Sequence, residues 1–282
     1  MAQRRDKVQA TLWHADDLAG AELLRGRFTD YSYDVHTHDK ACFALITRGA
    51  IRIRMRGGEF VARQGDLYAI DADVPHAGWP IDGAGWSQRT LYVDIEQLKR
   101  LVEDDAPSKR AVAITGPIIR DGTLGGLLGG VHRCSETGGP PLEREDHYLD
   151  FVTRLFERHT RAAPHMAPAG NEERAIRLAR DFLDAHLDAR VRLGDIASAA
   201  GLPPFRLFRA FARATGMSPH GYQRQARVRF ATGLLRRGHA LGDVAAASGF
   251  ADQAHLTRTF RRTMGLTPGA YKAAFATGTS LR

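Results

Sequence analysis

The chain has 282 residues, with 40 Lys and Arg against 32 Asp and Glu, for a formal net charge of +8. With 43% hydrophobic and 26% charged residues it is not a disordered chain, and no run reaches the roughly 18 apolar residues of a membrane helix. Two cysteines, Cys42 and Cys134, are too few for a disulfide framework, and the charged start from Met1 to Lys7 precedes no apolar signal segment, so a reducing cytoplasm is the expected setting.

Residues 28–95 read as short strands. Ala44–Thr47, the strictly alternating Ile51–Arg56, Phe60–Ala62, Leu67–Ile70 and Leu91–Ile95 are each bounded by Gly, Asp or Pro, the mark of an antiparallel sandwich or barrel. Arg52, Arg54 and Arg56 share one strand face, and at least two should point outward because unpaired buried charges are costly. His36, His38 and His76 have a spacing seen in metal sites, yet no Glu follows His38 by four or five residues and Ala41–Ala44 occupies that place. These histidines are therefore expected to bind a small-molecule effector by hydrogen bonding, with a metal on them as the weaker option. Trp79 and Trp86 are candidate pocket walls.

Residues 122–160 switch to helical spacing, with Leu149, Val152, Phe156 and His159 on one stripe, and two helices are expected around Gly138–Pro141. The apolar stripe makes the 142–160 helix the candidate for pairing two copies of the chain. Between 161 and 171 Pro, Ala and Gly take over and periodicity stops, which reads as a linker. The organisation is thus 1–160, a linker at 161–171, and 172–282.

The charge divides with the chain. Residues 172–282 hold 18 basic and 8 acidic residues, a net of +10, which leaves 22 basic against 24 acidic before them. That asymmetry points to a polyanionic partner for the second half. The same half contains a repeat: Leu193–Gly201 matches Leu241–Gly249, and Leu207, Arg209, Phe211 and Gly216 match Leu256, Arg258, Phe260 and Gly265. Each copy has a small-residue helix, a Gly turn and a second helix with an inward Leu-x-x-x-Phe stripe, followed by Ser218–Pro219 or Thr267–Pro268 as helix starts. Two such units in register read as paired helix-turn-helix motifs.

These residues, above all Gly249–Phe260 and Gly265–Tyr271, resemble the C-terminal domain of the AraC/XylS family of transcriptional regulators over about 174–275. The resemblance implies seven helices, two of them recognition helices joined by a long helix near 219–237 and lying in successive major-groove turns. The strand-rich half with His36, His38 and His76 resembles that family's cupin-like sensing domain. An α+β protein follows, with an antiparallel barrel, a helical hairpin and an all-α domain. The segment around Trp13 is a candidate arm or lid, and an effector is expected to act by shifting arm, linker or dimer geometry.

Outward positions supply the expected base readers: Phe205, Arg206 and Arg209 in the first unit, and Gln253, His255, Thr257 and Arg258 in the second. Arg213, Arg224, Arg227, Arg261 and Arg262 are expected to hold phosphates. Pro203–Pro204 leaves the first recognition helix without a hydroxyl cap, so discrimination should rest on the second unit or on the Arg206–Arg209 pair. The expected partners are double-stranded DNA, a small-molecule effector, a second copy of the chain and RNA polymerase, with no membrane, no catalytic residues and no cofactor. The rival readings are a metal-dependent cupin enzyme with a nucleic-acid-binding tail and a structural DNA-binding protein without effector control.

Overall fold

The computed structural model describes residues 8–102, 113–161 and 172–276. The chain divides into two compact units, one of residues 1–139 with 143–168 and one of residues 140–142 with 169–282. The expected linker lies outside the described residues except for Arg161.

The first unit is built on antiparallel strands: β1 (Val8–Ala15), β2 (Ala21–Phe28), β3 (Tyr33–His36), β4 (Ala41–Met55), β5 (Gly58–Arg63), β6 (Leu67–Ile70), β7 (His76–Pro80), β8 (Trp86–Val93) and the short β10 (Ile118–Ile119), with α1 (Ile95–Val102) after β8. The order β1-β2-β8-β4-β6-β10 forms one face, and β5, β7 and β3 continue from the far half of β4. The segment around Trp13 is not a separate arm, because β1 pairs along its whole length with β2. Likewise Ile95 is not strand: β8 ends at Val93, and the Asp94 carboxylate accepts the Glu96 and Gln97 amides to start α1.

Strand β4 does not break at Arg48–Gly49 but continues for 15 residues. Ala41–Gly49 pairs with β8 and β6, while Ala50–Met55 pairs with β5 and β7. A register shift between Ile46 and Arg48 and a φ of +68° at Gly49 turn the strand from one sheet face to the other. A Cβ at Gly49 would lie 2.1 Å from the Gly85 carbonyl, so the corner admits only glycine. Beyond the corner Ile51, Ile53 and Met55 are buried in a core with Phe28, Tyr68 and Trp86. The three arginines point outward as expected. Arg52 pairs with Glu59, Arg56 with Asp71, and the Arg54 guanidinium stands over the Trp79 ring.

The hairpin of α2 (Gly122–Thr137) and α3 (Pro141–His159) is followed by β11 (Thr160–Arg161), which pairs with β9 (Ala113–Ile114). Asp121 caps α2 by accepting the Thr123 and Leu124 amides, and its other oxygen ties Arg154 and His159 of α3 at 2.7 and 3.1 Å. These bonds hold its carboxyl well below the usual carboxylate range. The α3 stripe packs inside the chain. Leu149, Phe151, Val152, Leu155 and Phe156 are buried within the chain, and Phe151 meets Phe43 of β4 with ring centres 5.7 Å apart.

The second unit consists, among the described residues, of α4 (Glu173–Ala185), α5 (Leu193–Ala200), α6 (Pro204–Thr215), α7 (Pro219–Arg236), α8 (Leu241–Ala247), α9 (Gln253–Met264) and α10 (Pro268–Ala276). The pairs α5–α6 and α8–α9 are the two repeats. Ala197 and Ala245 are buried at the close crossings, and Leu207, Phe211, Leu256 and Phe260 are fully buried. Ser218 caps α7 by accepting the Gly221 amide, with Pro219 in the first turn. α6 starts at Pro203–Pro204 without a side-chain cap, whereas Asp252 caps α9 by accepting the His255 amide at 2.6 Å.

Candidate functional site

In the second unit the helical period decides which predicted readers reach solvent. On α6 the buried stripe takes Phe205 as well as Leu207, Phe208 and Phe211; Phe205 is 2% exposed. A ring there gains about 1.5–3 kcal/mol by burial, so it faces the core and offers no edge to a base. Arg206, Arg209 and Arg213 recur at i, i+3, i+7 on the opposite side. Arg206 is partly committed, because its Nε donates to the Glu172 carboxylate at 2.5 Å. Arg209 keeps its guanidinium over the Phe205 ring, 5.9 Å from its centre, and Arg213 is exposed.

On α9 Gln253, Arg258, Arg261 and Arg262 are exposed. His255 is half-buried, meets the Phe250 ring edge-on at 5.3 Å and accepts from the Ala251 amide at Nδ1. The Thr257 hydroxyl donates to the Gln253 carbonyl at 2.8 Å, which leaves its methyl and oxygen lone pairs for recognition. On α7 Arg224 is exposed, but Arg227 is not a phosphate contact. It is 7% exposed and donates to the Leu187 and Ala189 carbonyls at 2.6 and 3.1 Å. Period alone could not show this, because its partners lie 40 and 38 residues away.

In the first unit the three histidines do come together. His36 on β3 lies opposite His76 on β7, with ring centres 4.2 Å apart, and His38 lies 4.8 Å from His76. Each Nδ1 faces a backbone carbonyl: Asp34 for His36, Lys40 for His38 and Val74 for His76, at 2.8, 2.5 and 2.9 Å. A carbonyl only accepts, so each Nδ1 carries the hydrogen, and Nε2 is the acceptor of the ring in its neutral form. The Nε2 of His38 is buried without a hydrogen-bond partner among the described residues. These rings share a cavity with Tyr33, Tyr68, Tyr92 and Gln88, which the sequence reading did not single out. Gln88 is fixed from behind, accepting from the Tyr68 hydroxyl and the Trp86 indole and donating to the Thr90 hydroxyl.

Trp86 is therefore not a cavity wall. It stacks on Phe28 at 4.7 Å and acts through Gln88. Trp79 is not a wall either, lying against Arg54 on the outer face. Among the described residues no guanidinium lines the cavity, whose polar groups are imidazole, phenol, amide and the Cys42 thiol. A more open groove lies over β1, β2 and β8 with Arg25, Arg27 and Arg89, but Arg25 and Arg89 are paired with Glu136. The less open cavity with converging polar groups is the better ligand site. The three histidines lack the carboxylate of a metal-dependent cupin, and their ligand atoms do not close to within 4.8 Å of one another. Among the described residues Cys134, Glu143 and His147 form the one such group.

Burial also sets a pH dependence. Desolvation pushes His76, and the fully buried His132 of α2, from 6.5 down to about 4. The unfolded chain binds these protons first, so stability is complete above pH 6.5 and falls as the pH drops from 6.5 to about 4. The loss is expected to be of order 3 kcal/mol for each histidine. Urea unfolding across that range checks it, and His76→Gln should remove part of the slope, the rest coming from His132 and the likewise lowered His38. An unchanged slope would overturn the assignment.

Residues 18–184 match the AraC-like ligand binding domain family, and residues 196–274 match a helix-turn-helix domain family. The uncharacterised HTH-type transcriptional regulator YbfI of Bacillus subtilis is 25% identical over 78% of this chain and 80% of its own length. The HTH-type transcriptional activator RhaR of Escherichia coli is 26% identical over 89% of this chain and 91% of its own. The transcriptional activator NphR of a Rhodococcus species is 25% identical over 82% of this chain and 69% of its own. Among the described residues no helix is long and apolar enough to cross a membrane. Both halves thus match in one order along one chain, which belongs to the AraC family of transcriptional regulators, with a ligand-binding domain and a helix-turn-helix DNA-binding domain.

Proposed function

We propose that the chain reads a specific duplex sequence through α6 and α9 under the control of a small molecule held in the barrel cavity. The observation that carries the reading is the matched pair of helices, each with an arginine stripe on the side away from its buried Leu and Phe. Arg209 and Arg258 are the guanine readers and Gln253 an adenine reader, while Arg213, Arg224, Arg261 and Arg262 grip phosphates. Arg206 is held by Glu172 through its Nε and is not assigned a base.

The effector offers hydroxyl or N–H donors to the imidazole Nε2 atoms, in keeping with a cavity lined by imidazole, phenol and amide groups. The barrel binds this molecule without transforming it, and the protein works in the cytoplasm. A second copy pairing through α3 would use its polar side, with Asp150, Glu157 and Arg158, since the apolar stripe is occupied. Activation of transcription would add a contact with RNA polymerase.

Selection from a random duplex library, followed by anisotropy titration of single-base variants, tests the reading. Arg209→Ala and Arg258→Ala should each weaken operator binding by about 1–3 kcal/mol and relax preference at one position. Equal affinity for selected and random duplexes would point to a structural DNA-binding protein. Turnover of a small molecule that requires His38 would favour the enzyme reading.

A further inference from the structure

The Cys134 thiol, a Glu143 carboxylate oxygen and a His147 ring nitrogen all lie within 4.8 Å of one another. Cys134 sits in the last turns of α2, and Glu143 and His147 stand at i, i+4 in the first turns of α3, so one face of each helix contributes. The His147 Nε2 lies 3.9 Å from the Glu143 carboxylate. Its ring is seated against α2 at Gly130, four residues before Cys134, where a Cβ would fall 2.6 Å from the imidazole. Glycine at 130 therefore makes the space that brings this ring beside the thiol. Cys134 is buried, while Glu143 and His147 are half-buried and open a path to solvent.

We propose that Cys134, Glu143 and His147 form a zinc-binding site that clips the α2–α3 hairpin. Sulfur, imidazole nitrogen and carboxylate oxygen are a donor set that zinc accepts, at about 2.3, 2.0–2.1 and 2.0–2.2 Å, with water completing the tetrahedron. As the ion binds, the thiol releases its proton to solvent, and thiolate plus carboxylate balance the two positive charges. Tetrahedral closure asks the side chains to move by roughly an ångström from their present spacing. The site is separate from the cavity histidines and does not depend on what the barrel binds.

The test uses the full chain, stripped with a chelator, titrated with zinc and desalted before elemental analysis. Cobalt(II) serves as a second probe that reports thiolate ligation by charge-transfer absorption. About one zinc per chain and a cobalt–thiolate band are expected. Cys134→Ser and His147→Gln should each abolish both signals, Glu143→Gln should weaken zinc binding, and Gly130→Ala, by displacing the imidazole, should weaken it roughly 10–100-fold. Circular dichroism of each variant checks the fold, with the half-buried Glu143→Gln as the mildest change. Zinc content no higher than that of the Cys134→Ser variant, or zinc lost on His38→Ala and His76→Ala but not on His147→Gln, would overturn the proposal.

Discussion

Raising the salt from about 50 to about 200 mM is expected to weaken binding of the full chain to duplex DNA by roughly 10⁴-fold. The expectation follows from where the charge sits: the second half carries 18 basic against 8 acidic residues, and α6, α7 and α9 present Arg213, Arg224, Arg258, Arg261 and Arg262 at the surface. About eight neutralised phosphates per chain give a slope of log K against log salt near −7, because each arginine releases condensed counterions. Anisotropy of a labelled duplex over a salt series measures the slope directly, and a nearly flat line would sink the DNA assignment. The structure also sharpens which arginines matter. Arg261→Ala with Arg262→Ala should flatten the slope by about two units. Arg227→Ala should leave it unchanged, since that guanidinium is committed to the Leu187 and Ala189 carbonyls.

The paired helix-turn-helix units were legible because their determinants are local. A small alanine, a turning glycine and a Leu-x-x-x-Phe stripe all lie within one unit, and the repeat doubles the signal. The barrel was legible only in part. β4 reads as two strands because Arg48–Gly49 looks like a turn, yet the corner is made by the close approach of Gly49 to Gly85, 36 positions along the chain. β1, β2, β3 and β7 escaped notice: β1 is exposed almost throughout, and an edge strand paired on one side has no alternation to read. The site residues divide in the same way. The three histidines were marked by type and spacing, whereas Tyr33, Tyr68, Tyr92 and Gln88 became neighbours only when the barrel closed. Phe205 was misplaced because a residue in the first turn of a helix lies at the margin of the buried stripe, and its ring turns inward there.

The two turning glycines, equivalent by sequence, are expected to respond very differently to the same substitution. Gly201 and Gly249 both hold a left-handed backbone, with φ of +70° and +72°. Around Gly201 a new Cβ would meet nothing within 4 Å, so Gly201→Ala carries only the left-handed penalty of about 1–2 kcal/mol. At Gly249 the Cβ would fall 2.1 Å from the Leu187 carbonyl oxygen, 2.9 Å from the Asp188 Cα and 3.0 Å from the Arg227 Nε. Two of these obstacles are backbone and cannot swing aside, and the third is the nitrogen that already donates to Leu187 at 2.6 Å. Relief requires moving the α4–α5 loop away from Arg227, which would also strand buried hydrogen-bonding groups at about 1–3 kcal/mol each. Gly249→Ala is therefore expected to destabilise the helical domain by about 3–5 kcal/mol, against 1–2 for Gly201→Ala. For a domain near 100 residues that is a fall in melting temperature of more than about 10 °C, followed by circular dichroism of the helical transition. Equal shifts for the two variants would mean that the second turn does not rest on the α4–α5 loop. A larger loss at Gly249 would mean that α8–α9, the unit carrying Arg258 and Gln253, keeps its presentation to DNA through a contact with a loop that precedes the first repeat.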